Sequence, residues 1–271
     1  MSTAVNATAH RSGTARLGWE RGVVELKNTW RSKQSLGFTV LFPVMMLLLF
    51  ASIFKGTIDH TNVKISQVYV AGIIGSSLMS TGFVGLAIGL AAERDAGMLK
   101  RLAGTPMPKA SFFIGKIVMV LATELVQIIV LIALGASLFG VEVPGPSRWL
   151  TFVWVFGLGT TAATLLGIAV GSVIRDAKSA PAVVNLPFVA LQFISGVWIT
   201  VTQLPSWLLG VAKVFPLFWI CQGMRSVFLP DSFLVVEPGH SWHHATGALA
   251  LGGWCVLGFV LCMRTFRWTR D

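Results

Sequence analysis

Residues 93–102 read ERDAGMLKRL, and residues 105–109 follow with TPMPK. This charged segment separates two long apolar segments in a chain that has few charges elsewhere. Because charged side chains between two membrane spans must lie in water, the segment is predicted to be a short loop in one aqueous compartment. Met98, Leu99 and Leu102 fall on one helical face, and two prolines then end the helix. A short amphipathic helix at a membrane surface is suited to docking a soluble partner.

Composition places the chain among membrane proteins. It has 271 residues, of which 54% are hydrophobic and 12% charged, whereas soluble domains are about 25% charged. Several uncharged runs approach or exceed the ~20 residues that cross a bilayer. The net charge of +10 does not indicate a nucleic-acid partner, because Lys and Arg cluster at the ends of the apolar runs. The positive-inside rule explains them there.

The hydropathy pattern predicts an all-α polytopic fold with six transmembrane helices and an amphipathic interfacial helix before the first of them. Residues 1–15 are predicted to be a disordered cytoplasmic tail, 16–34 the amphipathic helix and 35–271 the transmembrane domain. The predicted spans are about 36–54, 68–92, 111–139, 149–174, 181–201 and 247–263.

The amphipathic helix and the charge distribution predict how the chain lies in the membrane. Trp19, Val23, Leu26 and Trp30 recur on one helical face, which is typical of a helix in the plane of the interface. Fifteen Lys and Arg lie in the segments that share a side with the charged loop, against five in the opposite loops. Both termini are therefore predicted to be cytoplasmic, in a multi-pass protein of the cell membrane.

The stretch before the last span is apolar but interrupted by prolines. Residues 203–219 contain two short apolar runs, each with a proline, and neither is long enough to span. They are interpreted as a re-entrant hairpin that dips into the outer leaflet and returns. The alternative is an ordinary external loop with aromatic interface anchors.

Catalytic signals are absent from the sequence. There is no GxxxxGK[ST] phosphate loop, no HExxH and no GxSxG, so any ATP would bind on another chain. Glu124 and Gln127 lie inside the third span at i and i+3, and an intramembrane carboxyl is a functional candidate by default. Glu124 could equally be hydrogen-bonded to a neighbouring helix as a structural contact. Gln192 and Ser195 form a similar polar face on span five.

Three histidines, His240, His243 and His244, precede the last span. No metal site is expected there, because suitably spaced carboxylate or Cys partners are missing apart from Glu237. A solvated interfacial cluster is the favoured interpretation, and the role of the histidines stays open.

Two stretches resemble the ABC-2 type transporter permease family. Residues 93–106, ERDAGMLKRLAGTP, resemble its cytoplasmic loop, with an acidic start, Gly, Leu, basic-Leu and a terminal Thr-Pro. Residues 185–225 resemble the family's fifth span, external hairpin and lead into span six, through ISGVW at 194–198, LPSWL at 204–208, FPL at 215–217 and QGMR at 222–225. The sequence looks closest to the daunorubicin-resistance-type drug export permeases.

The resemblance implies a half-transporter without catalytic residues or a cofactor of its own. Two permease chains, identical or related, would each dock an ATP-binding cassette subunit that holds ATP and Mg. Residues 93–104 would be the coupling helix, residues 16–34 the connecting helix, and spans two and five the pathway at the dimer interface. The expected ATPase-coupling residues are Glu93, Arg94, Gly97, Leu99, Lys100, Arg101, Leu102 and Pro106. The pathway candidates are Glu124, Gln127, Asn185, Gln192 and Ser195, and the outer-gate candidates are Pro205, Trp207, Phe215 and Pro216.

The substrate is expected to be a hydrophobic or amphiphilic small molecule taken from the membrane, because polar groups in the spans are sparse. Export of a lipid or a lipid-linked polysaccharide is the alternative within the family. An ion-coupled secondary transporter is the alternative of another class. It would need several ionisable residues along a membrane path, and Glu124 is essentially the one expected there.

Overall fold

The structure, a computed structural model, describes residues 13–31, 33–54, 56–58 and 61–268. Most of the predicted disordered tail, residues 1–12, lies outside this part of the chain. Over the described residues the fold is helical, with no β-strand and one isolated bridge between Thr57 and Lys64. The α-helices are α1 (Thr14–Arg31), α2 (Lys33–Ile53), α3 (Ile65–Met79), α4 (Leu86–Asp95), α5 (Met98–Ala103), α6 (Lys109–Phe139), α7 (Pro146–Val173), α8 (Ala180–Ile194), α9 (Ser206–Ala212), α10 (Pro216–Phe228) and α11 (His244–Thr265).

Four helical runs are long and apolar enough to cross a membrane. A fifth is added if α9 and α10, which are bent by 96°, count as one broken span. The prediction of an all-helical multi-pass membrane protein is confirmed, whereas the count of six spans is not. The four runs are Ile65–Asp95, Lys109–Phe139, Pro146–Val173 and His244–Thr265.

The other two predicted spans coincide with shorter apolar helices, Thr39–Ile53 within α2, and α8. Helix α8 stops at Ile194, seven residues before the predicted end, because Gly196 adopts a left-handed conformation with φ +79°. The Val197 N–H then donates to the Gln192 carbonyl, which closes the helix in the manner of a Schellman motif. Apolar residues continue past this point, so hydropathy alone does not show where α8 ends.

The second predicted span is one run built from α3, a π-helical segment at Ser80–Gly85, and α4. Helix α3 is buried on nearly all sides and packs against α10 and α7. Helix α7 crosses the π-segment closely through two glycines. A Cβ on Gly167 would lie 2.4 Å from the Gly82 carbonyl oxygen, and one on Gly171 would lie 2.8 Å from that of Ala87.

Helix α1 packs along the first turns of α6. Gly18 and Gly22 form a GxxxG pair whose missing Cβ atoms would lie 2.6 Å from Ile114 and 2.7 Å from Val118. The Ser111 hydroxyl also donates to the Thr14 carbonyl at 2.8 Å. The glycine face of α1 is therefore its packing face. Its predicted apolar face stays outward, with Trp19 61% exposed.

Candidate functional site

A buried ionic cluster joins three helices at the end of the bundle where α4 ends and α6 begins. The Lys116 ammonium of α6 donates to Glu93 of α4 at 2.6 Å and forms an ion pair with Glu25 of α1 at 2.9 Å. The Arg21 guanidinium adds a second cation on Glu25, at 2.8 Å. The Lys116 side chain is 3% exposed, and it also lies 5.3 Å from the centre of the Phe112 ring. A shared lysine thus ties the predicted connecting helix to the end of span two.

The close contact of α1 with α6 explains why these charges meet. Gly115 lies beside the Arg21 side chain, and its missing Cβ would lie 2.8 Å from Arg21 Cγ. The two helices therefore approach closely enough for Glu25 to reach Lys116, one residue further along. Burying one ammonium is tolerated because two carboxylates face it, and removing a partner would leave an uncompensated charge.

The last turn of α4 also holds the loop after α7. The Arg94 guanidinium donates to the carbonyls of Ile174, Gly171 and Ser172 at 2.9 to 3.2 Å, which satisfies the C-terminal end of α7. The carboxylate of Asp95 accepts from the Ala177 N–H at 2.8 Å. Motion at the end of span two would therefore displace the 174–180 loop.

The predicted single helix over 93–104 is two helices in the structure. Helix α4 ends at Asp95, Gly97 takes the left-handed conformation with φ +72°, and α5 begins at Met98. Glu93 and Arg94 consequently belong to span two. The separation follows from glycine at 97, since a residue with a Cβ is strained at that φ.

Helix α5 turns one face to its own chain and another outward. Leu99 is fully buried in a cluster that includes Phe112 and Phe266, whereas Met98 is 42% exposed. The two therefore do not share one docking face as the sequence pattern suggested. Lys100 and Arg101 are exposed, Leu102 is half-buried, and Pro106 is exposed after the end of the helix. The outward surface of α5 includes Met98, Lys100 and Arg101.

Glu124 is fully buried and lies against α7. It accepts a hydrogen bond from the Thr160 hydroxyl through Oε2, and Oε1 has no hydrogen-bond partner in the described part of the chain. The hydroxyl of Thr164, one turn further along α7, is also buried without a described partner. The hydrogen bond between Glu124 and Thr160 matches the structural role that the sequence left open for Glu124. Its other oxygen, Oε1, could accept a hydrogen bond from a further donor.

The other pathway candidates face different neighbours. Gln127 donates to the Thr39 carbonyl of α2 at 3.2 Å and accepts from Thr81, in the π-segment, at 3.4 Å. Gln192 of α8 donates to the Ser76 hydroxyl of α3 at 2.9 Å. Glu124 thus meets α7, while Gln127 contacts the start of the π-segment and Gln192 contacts α3 just before it.

Ser195 and Asn185 complete the pathway candidates. Ser195 is fully buried, and its hydroxyl has no partner over the described residues. Asn185 is exposed on α8, next to Leu186, which is 77% exposed. An apolar face of α8 is therefore uncovered in the single chain.

A second buried ion pair lies at the opposite end of the bundle. Arg225 of α10 donates to Glu237 through Nε at 3.1 Å and through Nη2 at 2.7 Å, and both side chains are 2% exposed. The remaining nitrogen, Nη1, has no described hydrogen-bond partner and lies against Gly196, at the end of α8. This pair fixes the segment after α10 to the chain that leaves α8.

The outer-gate candidates flank the two short helices α9 and α10. Pro205 precedes α9, Phe215 precedes α10, and Pro216 is the first residue of α10. Trp207 is 69% exposed, and Phe215 is half-buried. Helices α9 and α10 lie nearly at right angles, with a bend of 96° between them, and the re-entrant hairpin expected over 203–219 stays a prediction.

The histidines lie together with Ser241 and Trp242 around a surface pocket of about 450 Å³. His240 Nδ1 lies 3.0 Å from the Leu234 carbonyl oxygen. Glu237, the one carboxylate nearby in sequence, is occupied by Arg225. Over the described residues, no group of three or more His, Cys, Asp or Glu has the arrangement to hold a metal ion.

The two ionic sites are not apparent from the hydropathy and charge pattern of the sequence. Lys116 is the basic residue inside the third predicted span, so the span contains two ionisable residues instead of one. A lysine in an apolar span is itself a signal for a buried partner. Glu25 gave no such signal, since it reads as the i+4 partner of Arg21 on a surface helix. Arg225 was placed in an external loop, and its pairing with Glu237 depends on the fold of 229–240.

Comparison with known proteins gives a consistent family. Residues 23–229 match the family described as ABC-2 type transporter. The chain is 26% identical over 207 residues to the "Putative transport permease ycf38" of Porphyra purpurea, covering 73% of this chain and 69% of the relative. It is 20% identical over 209 residues to the "Putative transport permease YvfS" of Bacillus subtilis, covering 75% of this chain and 82% of that protein.

Proposed function

Because the chain belongs to the ABC-2 type transporter family, we propose that it is the membrane-spanning subunit of an ATP-binding cassette exporter. A separate subunit would hydrolyse the ATP and hold Mg, and two permease chains, identical or related, would form the complex in the cell membrane. Both termini and α5 would face the cytoplasm.

The observation that carries the proposal is the arrangement around α5. Leu99 anchors α5 in the core, and Met98, Lys100 and Arg101 point outward as an apolar and basic surface. Immediately before it, Glu93 binds Lys116 and Arg94 binds the end of α7. A push on α5 by a closing ATPase would therefore reach span two and α7 through direct contacts.

Variants at Lys100 and Arg101 test this proposal. Because these side chains are exposed, Lys100→Glu with Arg101→Glu leaves the core intact while it reverses the charge offered to the ATPase. We expect a cassette ATPase to co-purify with the wild type and to bind the double variant about tenfold more weakly. ATP-dependent export should fall with it.

The matched control is Lys27→Glu with Arg31→Glu, which makes the same charge change on exposed positions of α1. It should retain the ATPase. Normal ATPase binding and export by the Lys100 and Arg101 variant, at normal expression, would contradict the coupling role. Leu99→Pro is a less informative variant, because Leu99 is buried in the chain's own core.

We propose a hydrophobic or amphiphilic small molecule, drug- or antibiotic-like, as the substrate. The α8 side of the bundle supports this, since Leu186 and Phe193 are exposed beside Asn185, a surface with apolar area and few polar groups. A lipid or lipid-linked polysaccharide is the alternative cargo. Binding assays with purified complex would separate these classes, because a polysaccharide exporter should respond to the glycan headgroup.

The unsatisfied oxygen of Glu124 is the observation that favours ion-coupled transport as a second candidate. In that case an ionophore would abolish transport while ATP remained. In an ATP-driven exporter the ionophore has little effect, and depletion of ATP stops export.

A further inference from the structure

We infer that the cytoplasmic ends of α7, α8 and α11 form a binding site for one anionic phospholipid of the inner leaflet, separate from the outward surface of α5. The site consists of an apolar groove and an adjoining basic pocket. It goes beyond the proposed function and uses the membrane orientation proposed there.

The groove runs along the last turns of α7. It has a volume of about 680 Å³ and is bounded by α7, the start of α8 and the end of α11. Its apolar walls include Leu166, Val170, Val173, Val183 and Leu261. From Leu166 to Ile174 it follows α7 for about 12 Å at 1.5 Å per residue. In the membrane orientation proposed above, a groove of that length would lie at the depth of lipid acyl chains.

The basic pocket lies at the end of the groove. It has a volume of about 260 Å³, and it shares Val173 and Thr265 with the groove. Arg94, Arg264 and Arg267 contribute its guanidinium groups, and Arg175 lines the adjoining end of the groove. Arg94 uses its donors on the carbonyls of α7 and contributes charge, whereas Arg264 and Arg267 make no hydrogen bond or ion pair within the described residues.

Two carboxylates near the basic pocket, Asp176 and Asp95, accept hydrogen bonds from N–H groups of the 174–180 loop. Asp176, which also lines the groove, accepts from the Ser179 N–H at 2.7 Å, and the hydrogen bonds from Ser179 hold the pKa of its carboxyl below its ordinary value. Asp95 accepts from the Ala177 N–H. Four guanidinium groups against these two carboxylates leave the end of the groove positively charged.

The ligand of the groove and the basic pocket is inferred from charge complementarity. A negative group at the membrane surface joined to hydrocarbon that reaches into the bilayer is the description of an anionic phospholipid, and basic pockets between transmembrane helices on the cytoplasmic side bind such headgroups. An acidic segment of a soluble partner would fill the basic pocket and leave the apolar groove empty. A second copy of this chain would have to present an acidic group at this depth.

The test measures phospholipid bound to the purified full chain in detergent. Native mass spectrometry would compare added phosphatidylglycerol with phosphatidylcholine, and we expect retention of phosphatidylglycerol by the wild type. In Arg264→Gln with Arg267→Gln, the loss of about fivefold per arginine at a lipid headgroup predicts about 25-fold weaker binding. Val173→Trp, at an exposed position in the groove wall, keeps every charge and should also prevent binding by filling the space of the acyl chain.

Lys100→Gln with Arg101→Gln is the matched control, because it removes two exposed cytoplasmic charges outside the groove. It should bind phosphatidylglycerol as the wild type does, even if it loses the ATPase, so failure of the coupling role and failure of the lipid site give different results. The inference is overturned if the control loses lipid as strongly as the Arg264 and Arg267 variant, or if Val173→Trp binds normally. Displacement of the lipid by inorganic phosphate alone, or a change of oligomeric state in Val173→Trp, would also overturn it.

Discussion

The protein buries an ionic site at each end of its helical bundle, and the two are built differently. At one end Lys116 joins α6 to Glu93 of α4 and Glu25 of α1, three helices that are far apart in sequence. At the other end Arg225 and Glu237 are 12 residues apart and belong to one continuous stretch. The first site connects separate elements, whereas the second fixes the shape of a single segment.

This difference indicates which of the two ionic sites could transmit motion between helices. A displacement of α5 would reach Lys116 through Glu93 and α1 through Glu25, because Lys116 contacts both carboxylates. Arg225 holds Glu237 with two parallel hydrogen bonds and has one described partner. Such a bidentate pair is geometrically specific and favours one arrangement.

Removing the shared lysine should have the largest effect on stability. Lys116→Met would leave Glu93 without its cation and Glu25 with Arg21 alone, and breaking a buried ion pair in this way costs about 3–5 kcal/mol. We expect a strongly lowered yield of folded protein and an earlier thermal unfolding in detergent, followed by tryptophan fluorescence. Lys178→Met, at an exposed position, is the control and should unfold as the wild type does. Equal stability of the two variants would mean that the cluster does not hold these helices together.

An intermediate effect is expected for the outer pair. Glu237→Gln keeps the size of the side chain but removes the charge opposite a buried guanidinium, which should cost about 2 kcal/mol. Replacing both partners, in Arg225→Met with Glu237→Leu, should return the unfolding temperature to near that of the wild type, because no buried charge remains. If the double variant is as unstable as the single one, the pair contributes more than local shape.

The smallest effect on stability should come from Glu93→Gln, since Lys116 keeps Glu25 and the Glu93 side chain is 25% exposed. The cost is expected to be about 1 kcal/mol or less. Export per ATP hydrolysed should nevertheless fall, because this residue connects the end of span two to α6. Unchanged coupling in Glu93→Gln would show that α5 acts through the contacts of Arg94 with α7 instead.

Much of the fold was predictable from local sequence, but the contacts between elements were not. Hydropathy located the four long spans within a few residues, and Trp19 and Trp30 marked the outward face of α1. It failed for α8, where the left-handed conformation of Gly196 ends the helix inside an apolar run.

The candidate site was also predictable only in part, because local sequence shows the charged segment but not its contacts. Segment 93–109 was identified by its charge, but periodicity alone could not show that Gly97 divides it or that Leu99 faces the chain's own core. Gly18 and Gly22 allow α1 to pack on α6. This tertiary packing determines the environment of Glu25, and local sequence does not show it. The partners of Lys116 depend on it.

The π-helical segment at Ser80–Gly85 has a consequence for the phase of span two. Because each residue of an α-helix advances by about 100°, one extra residue held in a turn rotates everything after it by that angle relative to an uninterrupted helix. A helical wheel drawn through Ile65–Asp95 would therefore assign Ser76 and Glu93 to the wrong relative azimuths. Cross-linking pairs for this span should be chosen separately on each side of residues 80–85, with two wheels in place of one.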